Sequence, residues 1–270
     1  LNYSFNDKYL ASFTIRADAS SRFGDDNRVG VFPSGSIGWR ISEEGFMDGT
    51  TNWLSDLKLR ASYGLTGNQE IGNFDSRRLY TLAAPYRNQP GANVTQLGNS
   101  DLGWERTSQF DVGLDAALFD GRVSFTFDYF YKKTTDLLLN SNVPAYLGQI
   151  TVNRNLGEVE NKGWELAITS VNVDRAVKWT TSLNLSSVQN KILSLVNDGE
   201  RLGDSHILKE GEALGTFFLI PWEGVDPQTG NSIYTDTNGD GIIDTDDAQI
   251  AGNVIPDLFG GITNTVTWKN

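Results

Sequence analysis

The sequence contains no cysteine, one histidine and one methionine among its 270 residues. Without cysteine there is no disulfide framework and no thiolate metal site, so cysteine usage says nothing about the redox compartment. The single histidine, His206, cannot build a histidine-rich metal site, and no motif around it supports a Ser-His-Asp triad. No G-x-S-x-G, H-E-x-x-H, P-loop or dinucleotide fingerprint occurs. We therefore do not expect an enzyme.

Two further features are missing, an excess of basic residues and a long apolar run. Lys and Arg number 22 against 34 Asp and Glu, which gives a net charge of −12 and argues against a nucleic-acid partner. No stretch approaches the roughly 18 consecutive apolar residues of a membrane helix. This absence leaves membrane-spanning strands open, because each strand offers only alternate residues to lipid.

What the sequence has instead is apolar alternation with a period of two. From Tyr9 to Ala19, odd positions such as Phe13 and Ile15 are apolar or small, whereas even positions such as Arg16 and Asp18 are mostly polar. A period of two predicts a β-strand with one apolar face and one polar face. The same pattern predicts about nine strands, the others over 1–5, 31–41, 57–65, 110–118, 123–131, 164–168, 179–185 and 258–268.

The connections between these strands alternate between tight turns and long loops. Asp120-Gly121 is a type I′ hairpin signal, and long loops are predicted near 67–104, 133–160 and 190–257. Outer-membrane barrels place short turns in the periplasm and long loops outside the cell. The pattern favours an all-β, antiparallel transmembrane β-barrel, with a soluble β-sandwich as the alternative. Charged side chains at even positions are expected to face inward, away from lipid; they are Arg16, Arg40, Lys58, Arg60 and Asp18, with Asp111, Asp115 and Asp128 also on inferred inward faces.

The segment Asp236–Asp247 matches the twelve-residue spacing of an EF-hand calcium loop. Hard cations require a ring of oxygen ligands, and the number of carboxylates favours Ca²⁺ over Mg²⁺. Gly241 permits the sharp turn, but no helical periodicity precedes the loop. The alternative is a tight acidic turn held by hydrogen bonds from its own backbone. The predicted ligands are Asp236, Asn238, Asp240, the carbonyl of Ile242, Asp244 and Asp247.

Five stretches in collinear order make the sequence resemble the SusC/RagA family of TonB-linked outer-membrane transporters. They are FPSGSIGWRISEEGF (32–46), LKLRASYG with TGNQ (57–69), LGWERT (102–107), DYFYKKTTDLL (128–138) and NLGEVENKGWE (155–165). The acidic loop at 236–247 is similar to one common late in these barrels. The resemblance covers essentially the whole chain, and the shared order makes it more specific than any single motif.

The resemblance implies a plugged barrel of about twenty-two strands in the outer membrane of a Gram-negative bacterium. It also implies import powered through TonB, with a SusD-like lipoprotein over the extracellular mouth and oligosaccharides or peptides as cargo. No signal peptide, plug, TonB box or C-terminal aromatic β-signal is recognisable in the sequence. We therefore expect residues 1–270 to be part of the C-terminal side of such a barrel, with lipid around it.

Four loop aromatics are candidates for contact with cargo, namely Tyr86, Trp104, Tyr146 and Trp222. Aromatic rings stack on sugars, but packing that holds a long loop together is the common alternative. Two rival functions remain at this point. One is a secreted, calcium-stabilised β-sandwich that binds glycans, and the other is a barrel receptor for siderophores or vitamins.

Overall fold

One large antiparallel sheet dominates the structure. The structure is a computed structural model that describes residues 1–82, 85, 87, 89–143, 151–196, 199–203 and 205–268. No helical segment within these residues is long and apolar enough to cross a bilayer. The strands are β1 (Asn2–Phe5), β2 (Tyr9–Ala19), β3 (Val29–Arg40), β4 (Leu54–Asn68), β5 (Leu79–Thr81), β6 (Asn93–Gln96), β7 (Glu105–Leu118), β8 (Val123–Thr135), β9 (Leu138–Asn142), β10 (Thr151–Asn155), β11 (Glu158–Asp174), β12 (Val177–Ser194), β13 (Glu200–Leu202), β14 (His206–Leu208), β15 (Thr216–Leu219), β16 (Trp222–Val225), β17 (Ser232–Tyr234), β18 (Gln249–Asn253) and β19 (Phe259–Trp268).

The nine predicted strands are confirmed, and together they form this one sheet, which we call the wall. Its order is β1-β2-β3-β4-β7-β8-β11-β12-β19, so every strand pairs with its neighbours along the chain once the shorter strands are left out. The β-sandwich alternative is wrong, because the long strands lie in a single sheet and not in two packed ones. An up-and-down order of this kind is that of a barrel wall.

The register of the wall places apolar side chains of neighbouring strands on one face and polar side chains on the other. Ile37 pairs with Ala11 on β2 and with Ala61 on β4. Its neighbour Ser36 pairs with Ser12 and Ser62 on the opposite face. Ile37 is 66% exposed, as is expected of an apolar face that meets lipid and not a protein core. We call the two sides of the wall the apolar face and the polar face.

The turns at one end of the wall follow local backbone chemistry. Asp120 and Gly121 have φ values of 55° and 78°, and Arg122 N–H donates to the Phe119 carbonyl, which confirms the predicted type I′ signal. Asn6 and Asp7 adopt the same left-handed conformation between β1 and β2. The tightest connection, 175–176, joins β11 to β12. This end, with connections 6–8, 41–53, 119–122 and 175–176, is the turn end.

The opposite end, the loop end, carries the connections 20–28, 69–104, 136–157 and 195–258. The last three contain short strands that the sequence pattern did not predict: β5 with β6, β9 with β10, and the two small sheets built from β13 to β18. The expected alternation of short turns and long loops fails once, because the connection 41–53 at the turn end is longer than the connection 20–28 at the loop end. Residues 41–53 were also predicted to be a short polar link, whereas they form two 3₁₀ turns, Ile41–Glu43 and Gly45–Thr50.

The connection 195–258 is tied to the wall where β19 stops. β19 pairs with β12 only as far as Ser186, so the edge of β12 beyond that point lacks a wall neighbour. There Ile192 N–H donates to the Glu212 carbonyl at 2.8 Å, and Gly211 N–H donates back to the Ile192 carbonyl at 2.9 Å. These bonds cover an edge that would otherwise be open.

Candidate transport surface

A row of hydroxyl and carboxylate groups crosses the polar face of the wall. Ser12, Ser36, Ser62 and Asp111 are successive register partners on β2, β3, β4 and β7. The Ser12 and Ser36 hydroxyls lie 2.7 Å apart, and the Ser62 hydroxyl donates to the Asp111 carboxylate at 3.1 Å. The row lines a recess of about 540 Å³ over this face. The recess is therefore bordered on this face by side chains that can form hydrogen bonds.

An ion-pair network lies beside this row. The Arg60 Nε lies 3.0 Å from Asp115, and its Nη2 lies 2.7 Å from Asp128 on the next strand but one. Gly113 pairs with Arg60 on one side and with Asp128 on the other. A Cβ at Gly113 would lie 2.5 Å from the Arg60 guanidinium carbon. The glycine therefore leaves room for the Arg60 side chain to cross β7 and reach Asp128. The shared network confirms that Arg60, Asp115 and Asp128 lie on the same face of the wall, as the alternation predicts.

Trp104, a predicted cargo residue, is buried at the loop end. It is 7% exposed, its ring centre lies 5.0 Å from that of Phe23 and 5.3 Å from that of Phe32, and its indole N–H donates to the Arg28 carbonyl. A Cβ at Gly67 would lie 2.1 Å from Phe32, so this cluster requires a glycine there. The packing alternative accounts for Trp104, because both its ring and its N–H are already engaged.

Asn155 joins two of the long connections. Its Oδ1 accepts from Gly103 N–H at 2.7 Å, while its Nδ2 donates to the carbonyls of Gly103 at 2.8 Å and Asp136 at 3.0 Å. The side-chain amide thus bonds to both the N–H and the C=O of Gly103, as a residue on a neighbouring strand would. The motifs at 102–107 and 155–165 therefore meet in space, a contact that no local sequence pattern indicates.

The other three candidate aromatics are placed differently. Tyr86 and Tyr146 lie outside the described residues, so their role stays a prediction. Trp222 is 59% exposed and pairs with Tyr234, which is 45% exposed, across the hairpin of β16 and β17. Both rings of this pair are exposed, and contact of Trp222 with a ligand stays a prediction.

The acidic loop 236–247 is folded around its own backbone. The two carboxylate oxygens of Asp236 accept from Gly239 N–H at 2.6 Å and Gly241 N–H at 2.8 Å. Gly241 has the positive φ, 84°, that the sequence predicted for the turn. Asp247 is fully buried and accepts from the N–H groups of Asp244 and Thr237, chiefly that of Asp244, which lowers the pKa of its carboxyl.

These bonds fit the acidic-turn alternative, and calcium binding stays a prediction. Among the described residues, no group of three or more His, Asp or Glu side chains is arranged as the ligands of one metal ion. Asp236 and Asp247 would hold a hard cation with the oxygens that now accept from backbone N–H groups.

The negative charge of the chain is concentrated in the connection that carries this loop. Residues 195–258 include 13 of the 34 acidic residues but only Arg201 and Lys209 among the basic ones. The rest of the chain is nearly neutral. One end of the wall therefore carries a strongly acidic, folded appendage.

Comparison with known proteins gives this architecture a family. Residues 1–268 match the family described as TonB dependent receptor-like, beta-barrel. The chain belongs to this family of TonB-dependent receptor β-barrels. The polar face is accordingly the inner face of a barrel wall and the apolar face its outer face, in the outer membrane of a Gram-negative bacterium.

Several receptors resemble the chain along its whole length. TonB-dependent receptor P26 of Formosa agariphila is 41% identical over 100% of this chain and 30% of its own length. TonB-dependent receptor SusC of Bacteroides thetaiotaomicron is 34% identical over 100% of this chain and 29% of its own. The chain thus spans about 30% of the length of these curated relatives.

A solved structure agrees with the sequence relatives. The RagAB peptide transporter superposes with a TM-score of 0.90 at 30% identity, over 99% of this chain and 30% of that one. The resemblance to the SusC/RagA group is therefore confirmed. The sequence pattern missed several features of this structure, among them the space at Gly113, the hydrogen bonds of Asn155 and the folding of 41–53. Each depends on residues that are far apart in sequence and meet only in the folded chain.

Proposed function

We propose that the chain forms part of the barrel wall of a TonB-dependent outer-membrane importer of large nutrients. The observation that carries the proposal is the two-faced wall, which has a hydroxyl and carboxylate row on its inner face and an apolar face towards lipid. The match to the receptor family over residues 1–268 supports it.

Transport, and not bond chemistry, is the proposed activity. The charge of the inner-face carboxylates near the recess is partly compensated, because Arg60 pairs with both Asp115 and Asp128. A hydrogen-bonding surface with its charges partly compensated lets a hydrated cargo pass without a deep electrostatic trap. In this proposal TonB displaces a plug that lies elsewhere in the receptor, and the wall guides the cargo.

The proposed cargo is an oligosaccharide, and the hydroxyl row suits a ligand that offers many hydroxyl groups of its own. A peptide is the second candidate, supported by the likeness to a structure described as a peptide transporter. The proposed partner is a SusD-like surface lipoprotein that contacts the loop end through 69–104, 136–157 and 195–258.

The test uses the full-length receptor in its native bacterium. Cells that lack the receptor gene are complemented with the natural receptor or with a variant from which the TonB-contacting segment is deleted, and uptake of labelled oligosaccharides and labelled peptides is measured. We expect uptake of one cargo class with the natural receptor only, and co-purification of a surface lipoprotein with both forms. Equal uptake by both forms, or by cells without the receptor, would contradict the proposal.

A further inference from the structure

The connection 41–53 at the turn end, which we call the foot, folds back onto the apolar face of the wall. Tyr9 and Trp39 are register partners on that face. The Tyr9 hydroxyl donates to Glu44 at 2.6 Å, and the Trp39 indole N–H donates to the same carboxylate oxygen at 3.1 Å. Glu44 therefore lies on the lipid side of the wall.

Further contacts hold the foot against the strands. Lys8 lies 3.5 Å from Glu44, and the Ser42 hydroxyl donates to Asp56 at the start of β4. The Trp53 carbonyl accepts from Phe119 N–H at 2.8 Å, which ties the end of the foot to the neighbouring turn. The hydrogen bond from the Tyr9 hydroxyl is the main reason that the pKa of Glu44 lies below its usual value.

The foot presents large apolar side chains outward. Phe46 is 70% exposed, Trp53 is 49% exposed, and Phe119 beside it is 52% exposed. Asp48, two residues after Phe46, is exposed as well. A turn segment in water does not ordinarily expose aromatic residues in a group. At the boundary of a bilayer the same group is favoured, since aromatic rings prefer the interface.

We propose that the foot lies in the headgroup region of the inner leaflet of the outer membrane, with Phe46 and Trp53 at the boundary with the acyl chains. The occupant of this surface is phospholipid. Two observations support it. The foot continues the apolar face, which already meets lipid, and it lies at the turn end, which faces the periplasm in barrels of this kind. Glu44 acts as the positioning residue, because it holds the foot on Tyr9 and Trp39.

Lipid contact is measured directly with a fluorescent label. The chain contains no cysteine, so Phe46→Cys, Trp53→Cys, Asp48→Cys and Ile37→Cys each add one labelling site to it. Each full-length receptor variant is labelled with bimane and reconstituted into vesicles of phosphatidylethanolamine with brominated or ordinary acyl chains. We expect strong quenching at 37 within the wall, clear quenching at 46 and 53, and several-fold weaker quenching at 48.

Other occupants give other results. If the emission of bimane at 46 indicates an apolar environment but brominated lipid does not quench it, the label contacts protein, and the proposal is overturned. Equal, water-like emission at 46 and 48 would place the foot in the periplasm and overturn it as well.

A second pair of variants tests the positioning role of Glu44. In the Phe46→Cys receptor, Glu44→Ala removes the oxygen that accepts from Tyr9 and Trp39, whereas Glu43→Ala removes a neighbouring exposed carboxylate. We expect Glu44→Ala to lower the quenching at 46 several-fold and Glu43→Ala to leave it unchanged. If both variants are quenched like the parent, Glu44 does not position the foot.

Discussion

The wall and the connection 195–258 fold by different rules. Wall strands run for up to 18 residues, their register shifts only near the strand ends, and charged side chains pair across them, as with Arg60, Asp115 and Asp128. The strands of the connection are three to five residues long, and its carboxylates accept chiefly from nearby backbone N–H groups, as Asp226, Asp236 and Asp247 do. The wall is therefore built from cross-strand contacts, and the connection largely from local turns.

The first prediction targets the packed cluster of Phe23, Phe32, Leu102 and Trp104 at the loop end of the wall. Trp104→Ala should lower the free energy of unfolding by about 3–5 kcal/mol, because it removes a buried aromatic side chain that packs on Phe23 and Phe32. Trp222→Ala is the matched control, and should cost within about 0.5 kcal/mol because Trp222 is exposed. Guanidinium titration of the full-length receptor in vesicles measures both. A similar cost for the two variants would show that the cluster is not a core.

The second prediction tests the two faces of the wall. Phe13→Arg places a charge on the apolar face near the middle of β2. Because a charge on the lipid side is unfavourable, the free energy of unfolding should fall by about 2–4 kcal/mol. Thr14→Arg places the same charge one residue further along β2, on the polar face of the wall, and should lower the stability far less. The ratio of folded to unfolded receptor in vesicles reports both costs. Equal costs would mean that the faces have been assigned incorrectly.

The third prediction concerns the charge pairing within the wall. Arg60→Met leaves Asp115 and Asp128 unpaired, and should cost about 1 kcal/mol, since partial exposure and screening weaken the pairs. Arg16→Met on the same face is the control, and should cost less because Arg16 is far more exposed and, among the described residues, forms a single ion pair, with Asp18. If adding salt reduces both costs equally, the Arg60 network has no special strength.

The wall could be predicted from the sequence because its information is local. A period of two along Tyr9–Ala19 sets both the strand and its faces, and β2 has the predicted bounds. Asp120-Gly121 likewise sets its turn through two residues that tolerate positive φ. Each of these features depends on residues next to one another in the chain.

The remaining features depend on residues that meet only in the folded chain. Trp104 looked available for cargo because nothing near it in sequence shows that Phe23 and Phe32 surround it. The connection 41–53 looked like a simple link because its partners, Tyr9 and Trp39, belong to the wall. Short strands such as β5 and β6 escaped prediction because three or four residues are too few to show a period.

The last and smallest expected effect separates the two interpretations of the acidic loop. If Asp236 and Asp247 bind Ca²⁺, calcium should slow cleavage of residues 195–258 by a nonspecific protease relative to chelator, while the wall remains unchanged. Asp236→Asn should abolish this protection, because it removes a charged ligand at the first position of the loop. Asp226→Asn lies in the same connection but outside the loop, and should retain it. Identical cleavage with calcium and with chelator in the natural receptor would leave the backbone hydrogen bonds of Asp236 and Asp247 as the whole explanation of the loop's fold.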